Sequence, residues 1–163
     1  MSFKSGTLKV LLLEDDAVDA ERIKMLVSKN SLDYEITVVE TCTEALEAIR
    51  AKDFDIALLD SRVPDGSGLD ILTEMKNIPA IIITGNGDVE SAVRAMKSGA
   101  SDYLVKDVAG MYLHLLPHVV EESMGKQKLF LEKNEIEKER DRLLMELKKV
   151  KSQAISPPEI IKT

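Results

Sequence analysis

The chain has 163 residues, 44% hydrophobic and 31% charged, and its 29 acidic against 22 basic residues give a formal charge of −7. That length suits one domain of about 100–150 residues plus an appendage, and the acidic balance argues against a nucleic-acid surface. One cysteine excludes an intramolecular disulfide and fits a reducing compartment; no apolar run nears the roughly 20 residues that span a bilayer, and residues 1–9 lack a signal-peptide core, so a soluble cytoplasmic protein is expected.

Residues 10–13 (Val-Leu-Leu-Leu) form a first strand-like run, and 17–29 places Ala20, Ile23, Leu26 and Val27 at helical spacing. Residues 34–39 are rich in β-branched types and predict a strand. Residues 43–51 repeat apolar side chains at Ala45, Leu46, Ala48 and Ile49, an amphipathic helix. The run 56–59 is apolar throughout, as in a strand covered on both faces. Turn formers crowd 62–68, and 69–76 returns to helix. A fourth strand is predicted at 80–83. Asp88 is a good N-cap for a helix over 89–98, which Gly99 closes. Residues 103–105 make a fifth strand, and a last helix begins near Asp107. Five such units imply a three-layer α/β sandwich around a parallel sheet.

The tail has another character. From about 121 to 151 the chain is mostly charged, with Leu129, Ile136, Leu143 and Val150 seven residues apart, the mark of a coiled-coil seam. The alternate seam positions are Lys126, Lys133 and Arg140, and only Leu147 is apolar. A single exposed helix is the plain alternative; a parallel homodimer, weak at its start and firmer at its end, is favoured. Gly125 leaves room for a kink, and Pro157-Pro158 stops the helix. The expected domains are 1–124, a helical linker over 125–156, and a tail or the start of a truncated further domain over 157–163.

The ends of the core runs carry the chemistry. Glu14-Asp15-Asp16 follows the first run, Asp60 the third, Thr84 the fourth and Lys106 the fifth. In an open parallel sheet, ligands gather outside the carboxyl ends of the strands. Mg²⁺ takes hard oxygen ligands, and adjacent carboxylates that repel one another favour such a cation. An aspartate can attack phosphorus to give an aspartyl-phosphate, and Lys106 and Thr84 are donors suited to phosphoryl oxygens. Each residue alone has a plainer reading: Asp16 or Asp19 favouring a helix dipole, Lys106 as a solvated charge. Four together at four strand ends point to a Mg²⁺-dependent phosphoryl site.

The sequence resembles the receiver domain of two-component signalling over about residues 8–124. The resemblance rests on Leu11-Leu12-Leu13-Glu14-Asp15-Asp16, Leu58-Leu59-Asp60-Ser61-Arg62-Val63-Pro64-Asp65-Gly66-Ser67-Gly68, Ile82-Ile83-Thr84-Gly85, and Ser98-Gly99-Ala100-Ser101-Asp102-Tyr103-Leu104-Val105-Lys106. It implies a flavodoxin-like fold with strand order 2-1-3-4-5. It further implies that Asp60 accepts phosphate from a phosphohistidine on a sensor histidine kinase or phosphotransfer protein. Asp15 and Asp60 would bind Mg²⁺ directly, Glu14 mostly through water, and Arg62 by its backbone carbonyl, with Asp16 just outside the pocket. Lys106 would pair with the phosphoryl group, and Thr84 would hydrogen-bond it and let the aromatic switch Tyr103 turn inward. Such a module is a phospho-acceptor rather than an enzyme, although it can dephosphorylate itself, and in this arrangement it precedes a sensor, kinase or cyclase domain.

Two departures stand out. Asp107 occupies the place after the lysine where many receivers have proline, so a looser loop is expected before the last helix. Arg62 puts a long cation beside the pocket, within reach of the phosphate or of Glu14. His114 and His118 are expected on a packed or half-exposed helix face, Cys42 as a small buried filler, and Met75, Met96 and Met111 in the core. The competing functions are a haloacid-dehalogenase-type phosphatase, which needs an aspartate where Arg62 stands, and a degenerate receiver serving as a dimerisation scaffold.

Overall fold

The computed structural model describes residues 6–85 and 87–154. The expected stop at Pro157-Pro158, the tail over 157–163 and Asn86 in the fourth turn lie outside the described residues. By internal packing the chain divides into two units, Met1–Gln127 and Lys128–Thr163.

In the first unit five parallel strands, β1 (Leu8–Leu13), β2 (Tyr34–Val39), β3 (Ile56–Asp60), β4 (Ala80–Thr84) and β5 (Asp102–Val105), form one sheet in the order β2-β1-β3-β4-β5. This is the flavodoxin-like arrangement. Side chains alternate across a strand, and here both faces are covered. Leu11, Leu13, Ala57, Leu59, Ala80 and Ile82 pack with residues of α2 (Cys42–Ala51), of the 3-10 helix Gly68–Glu74 and of α3 (Val89–Lys97). Val10, Leu12, Ile56, Leu58, Ile81 and Ile83 face the other way, against α1 (Ala17–Lys29) and the start of α4 (Met111–Ala154). Burial on two sides explains why these strands are unbroken apolar runs rather than alternating ones.

Polar side chains set the element boundaries. Asp16 caps α1 by accepting from Val18 N and Asp19 N, Thr41 caps α2, and Asp88 caps α3. Gly99, at φ +105°, closes α3 in the left-handed region that glycine tolerates best. Gln127 Nε2 donates to Asn77 O at 2.8 Å near the end of this unit.

Four expectations need correction. Where residues 69–76 were expected as an ordinary helix, Gly68–Glu74 fold as a 3-10 helix closed at its start by a Ser67/Asp70 capping box, and Met75 and Lys76 lie beyond it. A Cβ on Gly68 would meet Asp60 O at 2.6 Å and Leu59 Cβ at 2.7 Å. The segment therefore starts hard against β3 and must reach β4, and a 3-10 helix rises about 2.0 Å per residue against 1.5 Å for an α-helix. The last helix begins at Met111 instead of near Asp107. Met96 and Met111 are exposed, while Met75 is in the core as expected. His114 and His118 are both exposed, and His118 Nε2 lies 3.3 Å from Glu122 Oε1.

The helix α4 is continuous through Pro117 and Gly125 of the first unit, and in the second it runs to Ala154. Leu129, Ile136, Leu143, Leu147 and Val150 are all at least half exposed. Around them charged residues pair along the helix, as where Arg142 bonds Glu139 and Glu146. Among the described residues no helix is long and apolar enough to cross a membrane.

Candidate functional site

The register of the sheet brings the ends of β1, β3, β4 and β5 to one edge, and the residues expected there do converge. Glu14 follows β1 and is 3% exposed; its backbone N–H donates to Val39 O. Its Oε1 accepts from Asp16 N at 3.0 Å and its Oε2 from Lys106 Nζ at 2.6 Å. Asp60 ends β3 and is 8% exposed. Its Oδ1 accepts from Arg62 N at 3.1 Å and its Oδ2 from Lys106 Nζ at 3.2 Å. Lys106 is placed by its own backbone, whose N–H donates to Thr84 O at 2.7 Å. Asp15 is the exposed member of the group, and ligand oxygens of Glu14, Asp15 and Asp60 all lie within 4.8 Å of one another.

Electrostatics follow from that crowding. Burial pushes the Glu14 carboxyl up to about 7, against the lowering effect of the Lys106 hydrogen bond. Burial works against the Lys106 charge too, but the hydrogen bonds to Glu14 and Asp19 and the field of Asp60 hold the ammonium well above its ordinary range. Glu14, Asp19 and Asp60 surround one ammonium and Asp15 lies beside two of them, so the pocket retains excess negative charge. Hard oxygen ligands gathered around uncompensated charge fit a divalent cation of the Mg²⁺ type.

On the far side of Asp60 the hydroxyls form a second group. Ser61 Oγ lies 2.6 Å from Thr84 Oγ1, and the Tyr103 hydroxyl also hydrogen-bonds Thr84. Tyr103 is half-buried and packs against the core. These residues line a cavity of about 210 Å³ together with Arg62, Ser67, Ser91 and Arg94. The Arg62 side chain is exposed and makes no ion pair among the described residues; the position near Glu14 that it was expected to reach belongs to Lys106.

Three residues escaped the sequence reading. Asp19, treated there as a helix-dipole residue, accepts from Lys106 Nζ at 3.0 Å and belongs to the pocket. Its place in the first turn of α1, three residues after the N-cap Asp16 and directly behind the acidic run, was the available signal. Ser61 bonds Thr84, and no sequence signal marked it. Asp107, read only as a missing proline, has a carboxylate that accepts from Met111 N at 3.0 Å and Tyr112 N at 2.9 Å at the start of α4.

A doubly covered parallel sheet of the flavodoxin-like kind thus carries an acidic pocket, a half-buried lysine and a buried threonine at its carboxyl edge. The response regulator receiver domain family matches residues 10–116. The chain belongs to that family. Similar proteins include the regulatory protein LuxO of Vibrio cholerae, 39% identical over 79 residues, covering 46% of this chain and 17% of that protein. The cell cycle transcriptional regulator CtrA of Caulobacter vibrioides is 29% identical over 103 residues, 61% of this chain and 44% of that protein. The chain thus spans less than half the length of these relatives. Among solved structures, the signal receiver domain of a putative LuxO repressor protein from Vibrio parahaemolyticus superposes with a TM-score of 0.67 at 31% identity. It covers 76% of this chain and 94% of that one. A response regulator receiver domain protein from Clostridium thermocellum gives 0.64 at 30% identity, over 76% and 98%.

Proposed function

We propose that Asp60 is the phospho-acceptor of a two-component phosphorelay, loaded in a Mg²⁺-dependent reaction, and that α4 carries the change toward an output. The observation that supports this most is the convergence of Glu14, Asp15, Asp60, Thr84 and Lys106 at one sheet edge, with Asp60 buried and hydrogen-bonded by both Lys106 and Arg62 N.

An Asp60 oxygen attacks phosphorus, the phosphorus–nitrogen bond of a partner's phosphohistidine breaks, and the imidazole leaves with the electron pair and takes up a proton. Glu14, Asp15, Asp60 and the Arg62 carbonyl would hold the Mg²⁺, which when bound offsets negative charge on the carboxylates and phosphoryl oxygens. Lys106 turns from its carboxylates toward the new phosphoryl group. Thr84 exchanges its bond with Ser61 for one to a phosphoryl oxygen, and Tyr103, already bonded to Thr84, follows it. The added charge of about −1.5 to −2 drives this rearrangement. The seam Leu129, Ile136, Leu143, Leu147 and Val150 pairs with that of a second copy, making a homodimer through the tail.

Incubation with Mg²⁺ and an acyl phosphate, followed by intact-mass measurement, tests the reading. One phosphoryl group is gained, and neither the Asp60→Asn variant nor the metal-free protein gains it. No gain in the parent protein supports a dimerisation scaffold; rapid consumption of the donor without net gain points to a phosphatase.

A further inference from the structure

Tyr112, on the first turn of α4, is 2% exposed, and its hydroxyl makes no hydrogen bond among the described residues. A buried phenol normally finds a partner, and leaving one unpaired is destabilising. An orphan hydroxyl in a packed core therefore asks what it pairs with in another state.

Its surroundings supply the partner. Tyr112 packs in the same cluster as Ala20 and Ile23 of α1, and Ala20 directly follows Asp19. Its backbone N–H is fixed by Asp107, the residue after Lys106. Burial pushes the phenol up, and the charge it feels most is the Asp19 carboxylate, ahead of Lys106, Arg22 and Glu14. Asp19 is at present engaged, with Oδ2 accepting from Lys106 Nζ at 3.0 Å and Oδ1 lying 3.9 Å from Arg22 Nη1.

We propose that Asp19 and Tyr112 form a second arm of the switch: Asp19 holds Lys106 in the unloaded state and, when Lys106 turns to the phosphoryl group, accepts a hydrogen bond from the Tyr112 hydroxyl. The proposal rests on Asp60 being the acceptor and Lys106 the phosphate reader. It makes both residues positioning residues, acting on the phosphoryl group only through Lys106. Two effects favour the loaded state together. The Asp19 carboxylate does not lose a donor when Lys106 departs, and an orphan phenol gains an acceptor. The exchange also links the pocket to the first turn of α4 by a route separate from Thr84 and Tyr103.

The test is a double-mutant cycle on the full chain, with beryllofluoride and Mg²⁺ as the phosphoryl mimic. Tyr112→Phe removes the oxygen and little volume; Asp19→Ala removes the acceptor. Without the mimic, Tyr112→Phe melts at the parent temperature or above it, because an unpaired polar group has gone. With it, Tyr112→Phe weakens mimic binding about tenfold in the parent, the scale of one hydrogen bond to a charged acceptor. The same substitution changes binding by less than about twofold in the Asp19→Ala background. Equal weakening in both backgrounds, or none in either, overturns the proposal. So does a loss of unloaded stability as large as the loss of binding, because that is packing alone. If the parent protein fails to bind the mimic while still folded, the acceptor reading itself fails, and this inference with it.

Discussion

Apolar residues do opposite things in the two units. Every residue of β3 and β4 is buried, and Val10, Leu11, Leu12 and Leu13 of β1 are at most 1% exposed. In the tail Leu129, Ile136 and Val150 are 68%, 69% and 60% exposed. Both patterns are regular. The first supplies its own cover, since alternate side chains of each strand meet helices on two sides; the second is a single stripe, and a stripe needs another surface.

The contrast breaks most sharply with one truncation in each region. Leu58→Ala removes a side chain that is 1% exposed in the middle of β3, and it costs about 2–5 kcal/mol of stability. Urea unfolding monitored by circular dichroism would show the lowered midpoint. Leu143→Ala, at half exposure, leaves the midpoint of the sheet transition where it was. Matching shifts for the two variants would mean that the tail residue is packed in solution as firmly as the strand residue.

The next largest effect is on association. Leu143→Asp puts a charge in the seam at its better end, between Arg140 and Leu147, and if the tail pairs as proposed, sedimentation equilibrium finds a dimer for the parent chain and a monomer for the variant. A variant that remains dimeric would remove the tail seam from the account and leave the heptad spacing as a feature of a solvated helix.

A smaller effect concerns the pocket. Glu14 binds its proton more tightly in the folded chain, up to about 7 against an ordinary 4.5. For the metal-free protein, the stability from this group is complete below pH 4.5 and is lost as pH rises through 7. Mg²⁺ competes with that proton, so its binding weakens about tenfold between pH 8 and pH 6 and levels off above pH 8. Titration calorimetry at several pH values reads this directly, and Glu14→Gln should flatten the profile. An unchanged affinity across the range in the parent chain would show that Glu14 carries no proton there.

How far the sequence disclosed all this depended on where each residue's partners lie. The strands were legible because burial on both faces leaves no alternation, and the site because its members end those strands. The 3-10 helix was not legible. It starts where Gly68 closely approaches Asp60 O, a contact between the segment and a strand that periodicity within 69–76 does not encode. Asp19 was visible as a residue but not as a Lys106 partner, because 87 positions separate the two. Nothing in the sequence marked Tyr112, whose hydroxyl is buried and unpartnered among the described residues.

Asp107 shows the same lesson at the smallest scale, at the start of the helix that extends into both units. Read as a missing proline, it suggested a loose loop; in the structure its two oxygens take the Met111 and Tyr112 N–H groups, which an unanchored helix would leave open. Those backbone bonds hold its carboxyl below the usual range. The sign is therefore the reverse of Glu14: the contribution is present above the ordinary carboxylate value of 3.8 and disappears as pH falls through the lower folded value. Asp107→Ala should lower the melting temperature at pH 7, and Asp107→Asn should lower it less, since it keeps one of the two acceptor oxygens while losing the other and the charge at the helix start. In strong acid both variants should converge on the parent. If Asp107→Ala melts like the parent at pH 7, Gly110 and the turn before it hold the helix start without the carboxylate, and the looser loop is restored.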